Sequence, residues 1–106
     1  MSARLRFHIL GCGSSGGVPR IGGHWGDCDS TNPKNRRKRA SVMVEEGDTT
    51  LLIDTSPDLR EQLLTNNVSK IDAVLYTHDH ADHTHGIDDL RFLAFSMGQK
   101  IPIYGN

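Results

Sequence analysis

Apolar and polar positions along the chain fall into short periodic runs separated by one long gap. Leu5-Arg6-Phe7-His8-Ile9-Leu10 alternates and then turns apolar, as a strand entering a core does. Ser41 to Glu45 and Thr50 to Asp54 flank Glu46-Gly47-Asp48-Thr49, which predicts a hairpin. Ser56 followed by Pro57 predicts a helix start, the serine as cap and the proline at the first helical position. Leu59, Leu63 and Leu64 would give that helix one apolar stripe. Ile71 to Tyr76 is a short apolar run that predicts a buried strand. Ile87, Leu90, Leu93, Ala94 and Met97 then recur at helical spacing, with Asp88 and Asp89 suiting the start of a helix and Gly98 its end. Ile101 to Tyr104 predicts a last strand.

The gap runs from Gly11 to about Ala40 and holds seven of the 11 glycines. Structureless loops longer than about 12–15 residues are uncommon in compact domains and are functional or disordered when they occur. No internal repeat or low-complexity linker divides the chain, so its 106 residues read as one small domain.

Composition narrows the class without naming a function. The chain is 36% hydrophobic and 24% charged, ordinary for a globular protein and outside the disordered range. A net charge of −1 gives no global attraction to nucleic acid or membrane. Two cysteines cannot build a disulfide framework. No apolar run approaches the ~18 residues of a membrane span. Met1 to Leu10 offers only a short apolar run and no small-residue cleavage site, so it is not expected to be a leader. The expectation is a cytoplasmic domain. Two local biases stand out: five of the 12 Lys and Arg residues lie between Lys34 and Arg39, and four of the six histidines lie between His78 and His85, beside Asp79 and Asp82.

The histidine cluster carries chemistry. In an extended backbone, residues two apart face the same way, so His78 and His80 can grip one ion. A turn after them would let Asp82 and His83 face a second ion nearby. Imidazole and carboxylate suit zinc, manganese or iron. The bland alternative is a solvated polar loop with scattered histidines, and three His and two Asp in six residues after an apolar strand argue against it.

Thr77-His78-Asp79-His80-Ala81-Asp82-His83, followed by Gly86, resembles the H-x-H-x-D-H signature of the metallo-β-lactamase superfamily. Leu51-Leu52-Ile53-Asp54-Thr55 resembles that superfamily's strand ending in aspartate. Leu10 to Pro19, with Asn35 to Ser41, resembles the phosphodiesterase branch that includes tRNase Z and the cyclic phosphodiesterases of phosphonate metabolism. The resemblance implies an α/β fold, the αββα sandwich, of which residues 1–106 are the N-terminal half. It makes His78 and His80 ligands of a first divalent ion and Asp82 and His83 ligands of a second, zinc first and manganese as the alternative. Asp82 would also orient the attacking water, and Asp54 would steady a ligand or its loop. The superfamily's later ligands have no counterpart after His85, so the rest of the domain is expected from sequence beyond this chain.

Other motifs are weaker. Gly11-Cys12-Gly13-Ser14-Ser15-Gly16 matches a dinucleotide-binding pattern, but Gly17-Val18-Pro19 is poor helix material and no strand-end acid follows about 20 residues on. Arg36, Arg37 and Arg39 can neutralise a substrate phosphate, although such basic runs are more often merely solvated. With no aromatic residue interleaved, base stacking is unsupported and RNA is not assigned as a partner. His24 and Cys28, with Cys12, offer too few ligands to close a structural zinc site, and a packed His-Trp-Gly loop is the simpler reading. His85 reads as a bystander, His8 as a strand residue, and Trp25 as a packing anchor or a substrate contact.

The function expected is hydrolysis of a small cyclic or nucleotide-like phosphodiester through a dinuclear metal site, with no membrane partner. Thioester or lactone hydrolysis by the same centre is the enzymatic alternative. A catalytically silent metal-binding module, docking through its basic loop, is the alternative of a different class.

Overall fold

The computed structural model describes residues 4–105; Met1–Ala3, the first part of the Met1–Leu10 segment that is not expected to be a leader, and the last residue, Asn106, lie outside them. Strand β1 (Leu5–Gly11) leads through the long loop to a hairpin of β2 (Ser41–Glu46) and β3 (Thr49–Ile53). Helix α1 (Leu59–Thr65) connects β3 to β4 (Ala73–Leu75). Helices α2 (Ala81–Thr84) and α3 (Leu90–Met97) then lead to β5 (Ile103–Tyr104). The five strands form one sheet in the order β1-β2-β3-β4-β5. β1, β2 and β3 pair antiparallel, whereas β3–β4 and β4–β5 are parallel. Parallel neighbours need a crossover, and α1 and the α2–α3 stretch supply one each.

The core lies on one face of this sheet. Leu10, Met43, Leu52 and Val74 pack there against Leu59 and Leu63 of α1, Ile71, and Leu90 of α3. Burying a side chain of this size stabilises by roughly 1.5–3 kcal/mol, so this cluster is the main hydrophobic support of the α/β half. The other face is apolar and open: Leu5, Phe7 and Ile9 are 55%, 64% and 73% exposed. Register puts Val44 beside Phe7 and Val42 beside Ile9.

Several expectations are corrected. α1 starts at Leu59 rather than at Pro57, and Ser56 caps the preceding turn by accepting a hydrogen bond from the Asp58 amide (3.1 Å). Leu64 is 58% exposed, and Gln62 takes the inward place beside Leu59 and Leu63, because its amide has polar work to do there. The strand over 71–76 shortens to Ala73–Leu75, although Ile71 is fully buried. The helix expected from Ile87 begins as a 3-10 turn over Ile87–Asp89 and becomes α-helical only at Leu90; Ile87 is exposed, and Gly98 ends it as expected. The long loop is not structureless, and the dinucleotide turn rejected from the sequence does not form there. Isolated bridges tie Gly13 to Arg39 and Val18 to Arg37, a short 3-10 turn spans Pro33–Asn35, and no helix opens at Gly16. A Cβ on Gly11 would lie 2.2 Å from the Arg39 carbonyl oxygen, and one on Gly13 2.8 Å from that of Lys38. These glycines let two backbones touch.

Candidate metal centre

Parallel pairing brings the C-terminal ends of β3 and β4 side by side, the edge where open α/β sheets place their sites. Asp54 follows β3 with φ of 64°, a left-handed conformation that non-glycine residues rarely hold without compensation. The compensation is hydrogen bonding. Its amide donates to the Leu75 carbonyl (2.9 Å). Its carboxylate accepts from the Thr77 amide at Oδ1 (2.9 Å) and from the Thr77 hydroxyl at Oδ2 (2.7 Å). The Nδ1 atom of His83 lies 2.7 Å from the same Oδ2. Burial pushes the Asp54 carboxyl up, but the Thr77 amide and hydroxyl and the His83 ring outweigh it and hold the group below the usual carboxylate range.

The motif itself is one tight turn. The His83 amide donates to the His80 carbonyl and that of His85 to the Ala81 carbonyl, forming α2. Thr55, fully buried, grips this turn from three atoms. Its amide donates to the His83 carbonyl (2.8 Å), its hydroxyl donates to the Thr84 carbonyl (3.0 Å), and its carbonyl accepts from the Gly86 amide (3.0 Å). The Tyr76 hydroxyl, 2.7 Å from Thr55 Oγ1, extends the network. Gly86 is buried against Ser56, where a Cβ would stand 1.8 Å from the carbonyl oxygen.

Of the four ligand residues named from the sequence, His78 and His83 join Asp54 in one ligand-distance group, while His80 and Asp82 lie next to it without joining it. The rings of His78 and His80 lie 4.6 Å apart edge to face, and those of His78 and His83 4.1 Å apart. Asp82 Oδ2 is 3.2 Å from His83 Nε2. His85 stays exposed. Asp54, His78 and His83 each have a ligand-type atom within 4.8 Å of the others. Asp54 Oδ2 is already taken up by the Thr77 hydroxyl and His83 Nδ1, and the Thr77 hydroxyl also meets His78 Nδ1, so the free donors are Nε2 of His78 and His83, the His80 ring and the Asp82 carboxylate. A neutral His83 would face the Asp82 oxygen lone pair to lone pair, which a cation between them relieves. Imidazole plus carboxylate is the donor set of zinc and related divalent ions, and the residues fit such an ion.

A basic cleft of about 600 Å³ is lined by Gly16 to Ile21, Arg36 to Arg39 and Asp58. Arg39 is anchored. Its Nε and its NH2 each donate to Asp58 at 2.9 Å, and its amide donates to Asp58 Oδ2. Gln62 Nε2 donates to the Arg39 carbonyl (2.8 Å), and its Oε1 accepts from the Ser56 hydroxyl (2.7 Å). The Asp58 bond, and further off the Asp82 charge, raise the Arg39 guanidinium against the effect of burial. The Arg36 guanidinium stacks 5.7 Å over half-buried Trp25, which serves as a packing surface for it. Arg37 and Val18 exchange backbone hydrogen bonds, so the Arg37 side chain is presented from a fixed backbone. Cys12 and Cys28 are free and exposed, and among the described residues neither they nor His24 joins a metal-ligating group. His8 sits in β1, 2.6 Å from Glu45.

Sequence pattern alone missed Thr55, Thr77, Asp58 and Gln62 as partners. Thr55 and Thr77 each adjoin a singled-out residue; Asp58 and Gln62 carry no local signal, because their partners lie 19 and 23 residues away.

A family described as "Beta-lactamase superfamily domain" matches residues 49–106. A new diphosphatase from the PhnP family is 48% identical in its crystal structure, with a TM-score of 0.87 over 97% of this chain and 42% of that one. Zn(2+)-bound PqqB from Methylobacterium extorquens superposes with a TM-score of 0.70 at 26% identity, over 95% of this chain and 36% of that one. A Porphyromonas gingivalis protein named octanoyltransferase is 41% identical over 92 residues, 86% of this chain and 19% of that protein. The chain thus spans less than half the length of each of these relatives. With this family match, the mixed sheet and the H-x-H-x-D-H turn at its C-terminal edge, the chain belongs to the metallo-β-lactamase superfamily.

Proposed function

We propose that the protein is a metal-dependent hydrolase of a small phosphodiester, cyclic or nucleotide-like, and that residues beyond this chain complete its domain. The observation that carries this reading is the dual role of the stretch from Asp54 to Gln62. Its first two residues hold the histidine turn, and Asp58 and Gln62 hold the basic segment. One short stretch therefore positions both the candidate ion ligands and the cationic cleft.

His78, His80, Asp82 and His83 would hold two divalent ions, zinc first and manganese as the alternative; the zinc in PqqB supports that order. Bound there, such ions supply a water acidified towards neutral pH and a Lewis acid for the phosphoryl oxygens. Asp82, held by its place in α2, would orient that water towards phosphorus besides serving as a ligand. Arg36 and Arg37 meet the negative charge on the phosphoryl group from the cleft, while Arg39, tied to Asp58, fixes the cleft's shape and adds its field. The diphosphatase relative supports P–O chemistry over acyl transfer. Thioesters and lactones leave the basic cleft without a purpose. The exposed free cysteines suit a reducing, cytoplasmic setting.

The test is hydrolysis of bis(p-nitrophenyl) phosphate by the full-length protein with zinc or manganese, beside a thioester and a lactone. We expect diester hydrolysis that a chelator removes and added metal restores. His80→Ala should lower it by a hundredfold or more with the fold intact by circular dichroism. Thioester turnover without diester turnover would select the acyl reading, and metal bound with neither activity the silent module.

A further inference from the structure

Two histidines of the centre are addressed by one carboxylate, one directly and one through a hydroxyl. Asp54 Oδ2 faces His83 Nδ1 at 2.7 Å and the Thr77 hydroxyl at 2.7 Å, and the same hydroxyl lies 2.8 Å from His78 Nδ1. Proton counting decides the direction of each bond. An ionised carboxylate only accepts, so His83 must donate from Nδ1. A threonine hydroxyl has one proton; spent on Asp54, it leaves only lone pairs for His78. His78 must then also donate from Nδ1. In a neutral imidazole that assignment puts the free lone pair on Nε2 in both rings.

We propose that Thr77 is a positioning residue that relays the Asp54 carboxylate to His78, fixing the Nδ1–H tautomer and ring orientation so that Nε2 of His78 is the ligand atom. The Thr77 amide, donating to Asp54 Oδ1 at 2.9 Å, locks the relay from the backbone side, so only the hydroxyl has to be placed. His80 receives no comparable hold among the described residues: its ring meets His78 edge to face, and its side chain has no hydrogen-bond partner there. The centre thus has two preset rings, His78 and His83, and one that adjusts. This inference rests on the metal-site reading for its consequence, and its tautomer prediction stands without it.

The experiment compares wild-type full-length protein with Thr77→Val and Thr77→Ser, first metal-free by nitrogen-15 NMR of the histidine rings and then by zinc titration against a chromophoric chelator. His78 in the metal-free wild type should be the Nδ1–H tautomer. Thr77→Val should lose that preference and bind zinc roughly tenfold or more weakly, whereas Thr77→Ser, which keeps the hydroxyl, should restore both. An Nε2–H tautomer in the wild type would overturn the relay without any variant, and so would Thr77→Val keeping the Nδ1–H tautomer and wild-type zinc affinity. Absence of zinc binding in a wild type whose His78 is Nδ1–H would instead remove the metal-site reading and leave the relay standing.

Discussion

At the scale of single residues, the centre is decided by groups that carry no metal-binding signature. Thr55 contributes three hydrogen bonds to the histidine turn, and Gly86 lets that turn close against Ser56. Gly86→Ala would drive a methyl group into a backbone carbonyl that has no room to move. We expect a loss of about 3 kcal/mol or more, measured by urea unfolding, with zinc binding falling in step. Wild-type stability in that variant would mean that the turn packs more loosely than its hydrogen bonds imply. The His and Asp residues were legible in the sequence, because a merely solvated loop seldom crowds so many of them together after an apolar run. Thr55 and Thr77 were not, because a hydroxyl in a loop usually satisfies its own backbone or water, and only the pairing of β3 with β4 brings them to the turn.

At the scale of elements, the first turn of α1 acts as a clamp on the basic segment. Arg39 holds the Asp58 carboxyl below the usual carboxylate range, more strongly than burial raises it. A carboxyl lowered on folding contributes stability that is present above its unfolded value of about 3.9 and is lost as the pH falls through its folded value. Asp58→Asn should therefore lower Tm at pH 7 and flatten the decline in Tm between about pH 5 and pH 2. Thermal unfolding across that range checks it, and parallel curves for the two proteins would sink the clamp. Turnover of the diester should fall in the same variant, since the cleft loses its anchored wall. The helix was legible from Leu59 and Leu63, but its start and inner face were not. Ser56-Pro57 reads locally as a helix opening, yet Ser56 is committed to Gln62 and the Asp58 amide, and Gln62 goes inward to reach the Arg39 carbonyl. Those commitments are long-range, and local patterning does not see them.

At the scale of the whole molecule, the described residues cover the sheet on one side only. Leu5, Phe7 and Ile9 line up on β1 as exposed side chains, while Leu10, Met43, Leu52 and Val74 are buried on the opposite face. An apolar stripe of this kind is rarely left to water. If the rest of the domain covers it, Phe7→Glu in the full-length protein would bury an unpaired carboxylate. We expect it to cost at least about 2 kcal/mol by chemical unfolding. A change below about 0.5 kcal/mol would mean that the face is open in the intact protein.

The sequence by itself determined the kinds of element and the chemistry of the donors. Alternation, turn residues and the density of His and Asp are local quantities, each imposed by neighbouring side chains. The tertiary structure alone decided which atoms do the work. Parallel pairing sets Asp54 against Thr77 and His83, and the helix clamp takes Arg39 out of the free basic run. The physical reason is that hydrogen bonds act over about 3 Å in space whatever the separation along the chain. A carboxylate 29 residues from its histidine is a partner only once the sheet has formed.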